Sequence, residues 1–251
     1  MPAACCGIVG FKPSYGLVSL EGCFPLAASF DHAGPMARDV ETCERAFTAL
    51  ASGYEPSSLD SLGDVAVAVA WTDDAEPLVR ARVLAAAEHF PNRRSLELPV
   101  PTHTRPLFMH EVAGVHRELF AENADLYGED VRIKIERCLA VGDAEADAAR
   151  ARCDQYREPF EEALAALDLI LTPTLPFVAP RVGAGGTGDL GVREAMTSRT
   201  YPFNVLGWPA LALPCGTAEA GLPASIQLAG RTGADALVLA AARLLERALA
   251  P

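Results

Sequence analysis

The chain has 251 residues, half of them hydrophobic and 22% charged, with a formal net charge of -12. That balance belongs to a globular protein with a sizeable core and excludes a disordered or fibrous chain. A surface so acidic repels phosphate backbones, which argues against a nucleic-acid partner.

In chain order, Gly7-Ile8-Val9-Gly10-Phe11-Lys12-Pro13 reads as a short strand closed by proline and followed by a Ser14-Tyr15-Gly16 turn. Residues 35–50 carry a helical rhythm at Met36, Val40, Cys43, Ala46, Phe47 and Leu50, with Asp39 as N-cap and Gly53 near the end. The run Asp64 to Trp71 is uninterrupted and apolar, as in a strand covered on both faces, and a helix is expected over 77–90. Residues 91–106 form a proline-rich connection around Ser95-Leu96-Glu97-Leu98, and helices follow over 107–127 and 143–167. Asp168 to Thr174 reads as a second buried strand, and 176–191 as a glycine- and proline-rich loop. Strands over 210–214 and 225–229 flank a turn at 216–221, and a helix over 235–249 closes the chain.

Strands alternating with helices predict an α/β fold, a mixed β-sheet sandwiched between helical layers, over a single domain spanning 1–251. No run of about 18 apolar residues is present to span a bilayer, and no charged-then-apolar leader opens the sequence, so no membrane partner and a cytoplasmic location are expected. The seven cysteines (Cys5, Cys6, Cys23, Cys43, Cys138, Cys153 and Cys215) are odd in number and scattered, and read as reduced, buried thiols.

Four blocks, in order, carry a resemblance. They are Pro2 to Gly16 with Pro25 to Arg38; Asp168 to Thr174 with Pro176 and Ala179-Pro180; Phe203-Asn204 with Gly207 to Leu211; and Gly221 to Gly230 with Asp235. Together they resemble the amidase-signature family, whose members hydrolyse carboxamides or transfer ammonia from them. The resemblance implies a serine nucleophile whose proton passes through a second serine to a buried lysine. It also implies a glycine-rich turn that donates backbone N–H groups to the developing oxyanion.

Those groups belong to a stretch ending Gly-Gly-Ser-x-Arg-x-Pro-Ala, of which this chain holds Pro2-Ala3. Nucleophile, bridging serine and lysine therefore fall upstream of Pro2, and no catalytic residue is assigned here. Lys12 is no substitute base, because the family pattern places it on the strand after the nucleophile. Two origins stay open: a longer natural protein, or a true truncation that exposes a sheet edge for a second copy or a partner chain to cover. The expected function is hydrolysis of a small carboxamide to carboxylate and ammonia or amine when the upstream groups are present. The alternatives are a small-molecule binding module and a non-catalytic subunit. No cofactor and no metal are expected.

Rival constellations carry less. His110-Glu111 and His116 approach a zinc motif, but a six-residue spacing turns the imidazoles about 120° apart on a helix. Gly183, Gly185 and Gly188 match a dinucleotide pattern without the strand before it, and read as a loop. Cys5 or Cys6 with His32 forms a thiol–imidazole pair on paper, yet the flanking alanines and Ile8 favour buried, structural thiols. Asp31 has two readings: support for the neighbouring active centre, or a local turn carboxylate. Arg38-Asp39, Arg93-Arg94 and Arg231 read as solvated charges. Substrate contacts are expected near Phe24, in 176–191 and in a loop over Tyr201 to Asn204.

Overall fold

The computed structural model describes residues 1–184 and 190–250. Helix α1 (Pro2–Cys6) opens on a proline, whose missing N–H costs nothing in a first turn, and ends at Gly7 in the left-handed region with φ 66°. Strand β1 (Val9–Lys12) follows, then β2 (Met36–Ala37) and α2 (Val40–Leu50). Asp39 caps α2 as expected, its Oδ1 accepting the Thr42 N–H at 2.7 Å. The helix starts later than the apolar rhythm suggested, because Met36 and Ala37 pair with β1 and the helix ends before Gly53.

Strand β3 (Val67–Val69) and α3 (Pro77–Ala87) come next, and β4 (Arg93–Ser95) lies inside the predicted connection. Helix α4 (Arg105–Asn123) passes through a 3-10 turn at Ala124–Leu126 into α5 (Glu129–Leu139), then α6 (Asp143–Ala163). The apolar signal for α5 is weak, since only Ile135 and Cys138 are buried there. Its ends do suit the helix dipole, with Glu129 and Asp130 in the first turn and Arg137 in the last. The chain continues through β5 (Leu169–Pro173), α7 (Leu190–Thr197), α8 (Tyr201–Leu206), β6 (Ala210–Thr217), β7 (Pro223–Gly230) and α9 (Asp235–Leu249). Tyr201 to Asn204, expected in a loop, form the first turn of α8, which Pro202 favours near the N-terminus and Gly207 stops.

One seven-stranded mixed sheet runs β2-β1-β6-β7-β5-β3-β4. The pairs β5–β3 and β3–β4 are parallel and the rest antiparallel. Side chains alternate across the sheet, so each strand feeds two cores. On one face Val9, Phe11, Val67, Leu169, Leu211 and Leu228 pack under α2, α3 and α9. On the other, Ala68, Ile170, Ala210 and Ala229 meet Val112, Phe160 and Phe203 from α4, α6 and α8. Helices on both faces explain why the strands read as continuous apolar runs. The two edges differ: β4 is short, exposed and carries Arg93 and Arg94, while β2 has two residues and leaves Met36 58% exposed.

Candidate functional site

On the second face of the sheet, the ends of β1 and β6 escape the helical layer. Gly10, Ala210 and Ala212 present almost no side chain there, and above them opens a cavity of about 370 Å³. Pro2 and Ala3 of α1 form one wall, and Lys12, His32, Asn204 and Gln227 form others. Gly10 makes this wall possible. A Cβ at that position would lie 2.5 Å from that of Ala3, so any larger residue would push α1 off the strand.

Lys12 lies largely buried, its Nζ donating to Trp208 O at 2.6 Å and to Pro13 O at 3.2 Å. Burial drives its pKa down to about 7, with the Asp235 carboxylate opposing the shift. His32 is also pushed down, to about 4, by burial first and by the Lys12 charge second. At neutral pH its ring is therefore uncharged. Nδ1 lies 2.7 Å from Phe30 O, so it carries the proton and donates, while the buried Nε2 has no hydrogen-bond partner. Gln227 donates to Thr172 Oγ1 and to the Arg199 carbonyl. Asn204 donates to Phe30 O at 3.0 Å. The cavity thus joins an amine able to change charge near neutrality, a neutral imidazole nitrogen and fixed amides. Such a lining suits an uncharged polar guest such as an amide.

Asn204 also borders a second cavity of about 340 Å³, between Tyr15, Phe30 and the α6 residues Arg150, Asp154 and Arg157. Asp31 lies in the loop between these spaces. Its Oδ2 accepts N–H bonds from Leu26 at 2.8 Å and Ala27 at 3.1 Å, which fixes the turn before His32.

The other expected residues disperse. His110 pairs with Asp143 at 2.9 Å, Glu111 accepts two hydrogen bonds from Ser29, and His116 meets the Tyr127 hydroxyl. Among the described residues no group of three or more His, Cys, Asp or Glu is placed to hold a metal ion. Gly185 and Gly188 lie outside the described residues. No hydrogen bond joins Cys5 or Cys6 to His32 among the described residues. All seven thiols are free, but Cys6 and Cys23 are exposed and Cys5 half-buried, which corrects the expectation of uniform burial. The short α1 turns Cys6 outward at its C-terminal end, a direction set by the helix and invisible in the alanine-rich sequence. Phe24 is 70% exposed beside His116 and borders neither of these cavities.

Sequence reasoning passed over Gln227 and Arg199, and discounted Lys12. Arg199 is buried, pairs with Asp74 and stands 5.8 Å over the Trp71 ring. Only Lys12 had a signal, as the one basic residue of the opening strand.

The family model for amidases matches residues 1–75 and 73–239. This chain belongs to the amidase family. Among curated relatives, a glutamyl-tRNA(Gln) amidotransferase subunit of Neisseria meningitidis serogroup C is 30% identical, covering 98% of this chain and 61% of its own length. That of Moorella thermoacetica is also 30% identical, with 60% of its length covered. A crystal structure of an amidase superposes with a TM-score of 0.87 at 32% identity, over 99% of this amidase-family chain and 60% of that one. The corresponding amidotransferase subunit of Thermotoga maritima gives 0.76 at 25% identity, over 98% and 59%. The chain thus spans about three fifths of the length of the relatives it matches. Among the described residues no helix is long and apolar enough to cross a membrane.

Proposed function

We propose that this chain forms the C-terminal wall of the substrate pocket of an amidase-family enzyme that cleaves the C–N bond of a small carboxamide. The products are a carboxylate and ammonia or an amine. One observation carries the reading: Pro2 and Ala3, the closing residues of the Gly-Gly-Ser-x-Arg-x-Pro-Ala pattern, line the same cavity as Lys12 and His32. A serine a few residues ahead of Pro2 is thereby delivered to this space. There a bound amide meets a neutral imidazole, fixed amides and an amine that changes charge near neutral pH.

Within that reading Asp31 is a positioning residue. It holds the turn from Leu26 to Ala27 and so sets the loop that carries His32 into the wall. This chain's own serines do not replace the nucleophile. Ser14 and Ser29, the two in the first block, have their hydroxyls occupied, Ser14 by Asp235 and the Gly233 N–H and Ser29 by the Glu111 carboxylate. Alone, the 251 residues are expected to bind amides without turning them over.

A second reading is favoured by the exposed Met36 on the two-residue edge strand beside the cavity. In it, a partner chain covers this edge and this chain serves as one component of a complex, as the name of the amidotransferase relatives denotes for them. The intact mass of the protein from its natural source, with ammonia release from simple carboxamides, separates the two. A mass well above 26.5 kDa together with turnover is the expected result. A mass of 26.5 kDa without turnover overturns the enzyme and leaves the component of a complex.

A further inference from the structure

Helices α4 and α5 present the same spacing to a shared groove. Arg105, Phe108 and Met109 on the first, and Lys134, Arg137 and Cys138 on the second, each fall at i, i+3 and i+4 and so share a face. Arg193, Glu194 and Thr197 of α7 complete a cavity of about 320 Å³ with them. That volume lies at the lower end of the range of about 300–1,000 Å³ typical of small-molecule pockets. Its inner surface is apolar, from Phe108, Met109 and Cys138, and its rim is cationic.

The charge is the unusual part. In a chain of net -12, four cations gather here among the described residues against two carboxylates, Glu194 in the lining and Asp130 beside it. Asp130 is committed to Arg193 at 3.0 Å and Lys134 at 3.5 Å. Arg105 and Arg137 pair with no carboxylate among the described residues. Arg105 is oriented by the Tyr201 ring, 5.1 Å from its guanidinium carbon, and by a 3.4 Å hydrogen bond to Thr197.

We propose that this groove is a binding site for a small organic carboxylate with an apolar body, held by Arg105 and Arg137 at the rim and by Phe108 and Met109 beneath. A guanidinium offers paired donors matched to a carboxylate. The apolar interior disfavours a bare inorganic anion, and the cationic rim disfavours an amine.

Octanoate is the probe, with octylammonium and inorganic phosphate as controls, titrated into the full chain carrying 13C-methyl methionine. The four methionines report separately, and Met109 is the one among them that lines this groove. The expected result is saturable one-to-one octanoate binding that shifts the Met109 methyl and leaves Met36 still, with octylammonium inert. Phosphate should bind at least about tenfold more weakly, and the double variant R105Q/R137Q should lose about tenfold for octanoate, the scale of one lost charge-assisted contact. A stationary Met109 signal overturns the proposal whether or not the variant folds. So does equal binding of octylammonium or phosphate, or unchanged octanoate affinity in a folded R105Q/R137Q.

Discussion

Ser14 and Asp235, 221 positions apart, share two buried hydrogen bonds: Ser14 N–H to Oδ1 at 2.8 Å and Ser14 Oγ to Oδ2 at 2.5 Å. The pair ties the loop after β1 to the first turn of α9, and Gly233 N–H donates to the same hydroxyl. Removing the carboxylate strands a buried backbone donor. Asp235→Ala is expected to cost about 2–4 kcal/mol, and Ser14→Ala about 1–2 kcal/mol because the carboxylate keeps its backbone partner. Urea unfolding of both variants checks the order; an equal or reversed cost refutes it.

Two glycines predict opposite signs. A Cβ on Gly34 would sit 2.0 Å from Phe11 O, inside the backbone of β1, whereas one on Gly114 in α4 meets nothing within 4 Å. Gly34→Ala is expected to destabilise by about 2–4 kcal/mol through forced backbone movement. Gly114→Ala should stabilise by about 0.5–1 kcal/mol, the helical preference for alanine. Thermal melts that move in the same direction for both would contradict this.

The buried bases set an acid limit. Both His32 and Lys12 have folded pKa values depressed by burial, to about 4 and about 7. The unfolded chain therefore binds more protons than the fold between about 4 and 6.5 for His32, and between about 7 and 10.4 for Lys12. Stability rises with pH across each window. His32→Gln is expected to flatten the rise between pH 4 and 6.5, and Lys12→Met the part just above pH 7. Above about pH 9 the buried thiols oppose the Lys12 effect, since burial raises Cys43 and Cys215 to about 12. Denaturation midpoints measured every half pH unit test both; an unchanged slope in either variant removes that residue from the account.

Asp31 anchors its loop through two backbone N–H groups. Asp31→Ala is expected to lose about 1–2 kcal/mol, while Asp31→Asn, which keeps an accepting oxygen, loses less. Amide hydrogen exchange at Leu26 and Ala27 should quicken in the alanine variant only. Protection that survives the alanine change would deny Asp31 its positioning role.

Much of this molecule was legible in one dimension. The apolar runs at 64–71, 168–174, 210–214 and 225–229 all mark strands, because a sheet covered on both faces demands unbroken hydrophobicity. Asp39 announced α2 through its capping chemistry. Several elements escaped, among them β4 within the proline-rich connection and α8 in the expected loop; β2 is a two-residue strand that exists only because β1 lies beside it, and α5 buries only Ile135 and Cys138. Of the site, Asp31 was singled out; Gln227 stood inside the fourth resembling block with no role assigned to it, and Arg199 in a stretch that carries no motif.

The sequence by itself determined the family and the alternation of strands and helices, and its resemblance implies that the family's serine and lysine belong ahead of Pro2. Local patterns and ordered motifs suffice for these, since each depends on neighbours in the chain. Only the tertiary structure decided that Gly10, Ala210 and Ala212 floor an open cavity, that burial there lowers the pKa values of Lys12 and His32, and that Arg105 and Arg137 face one groove. Those properties come from burial and from contacts between segments far apart in the chain. A side chain's solvation and charge state are set by what folds against it.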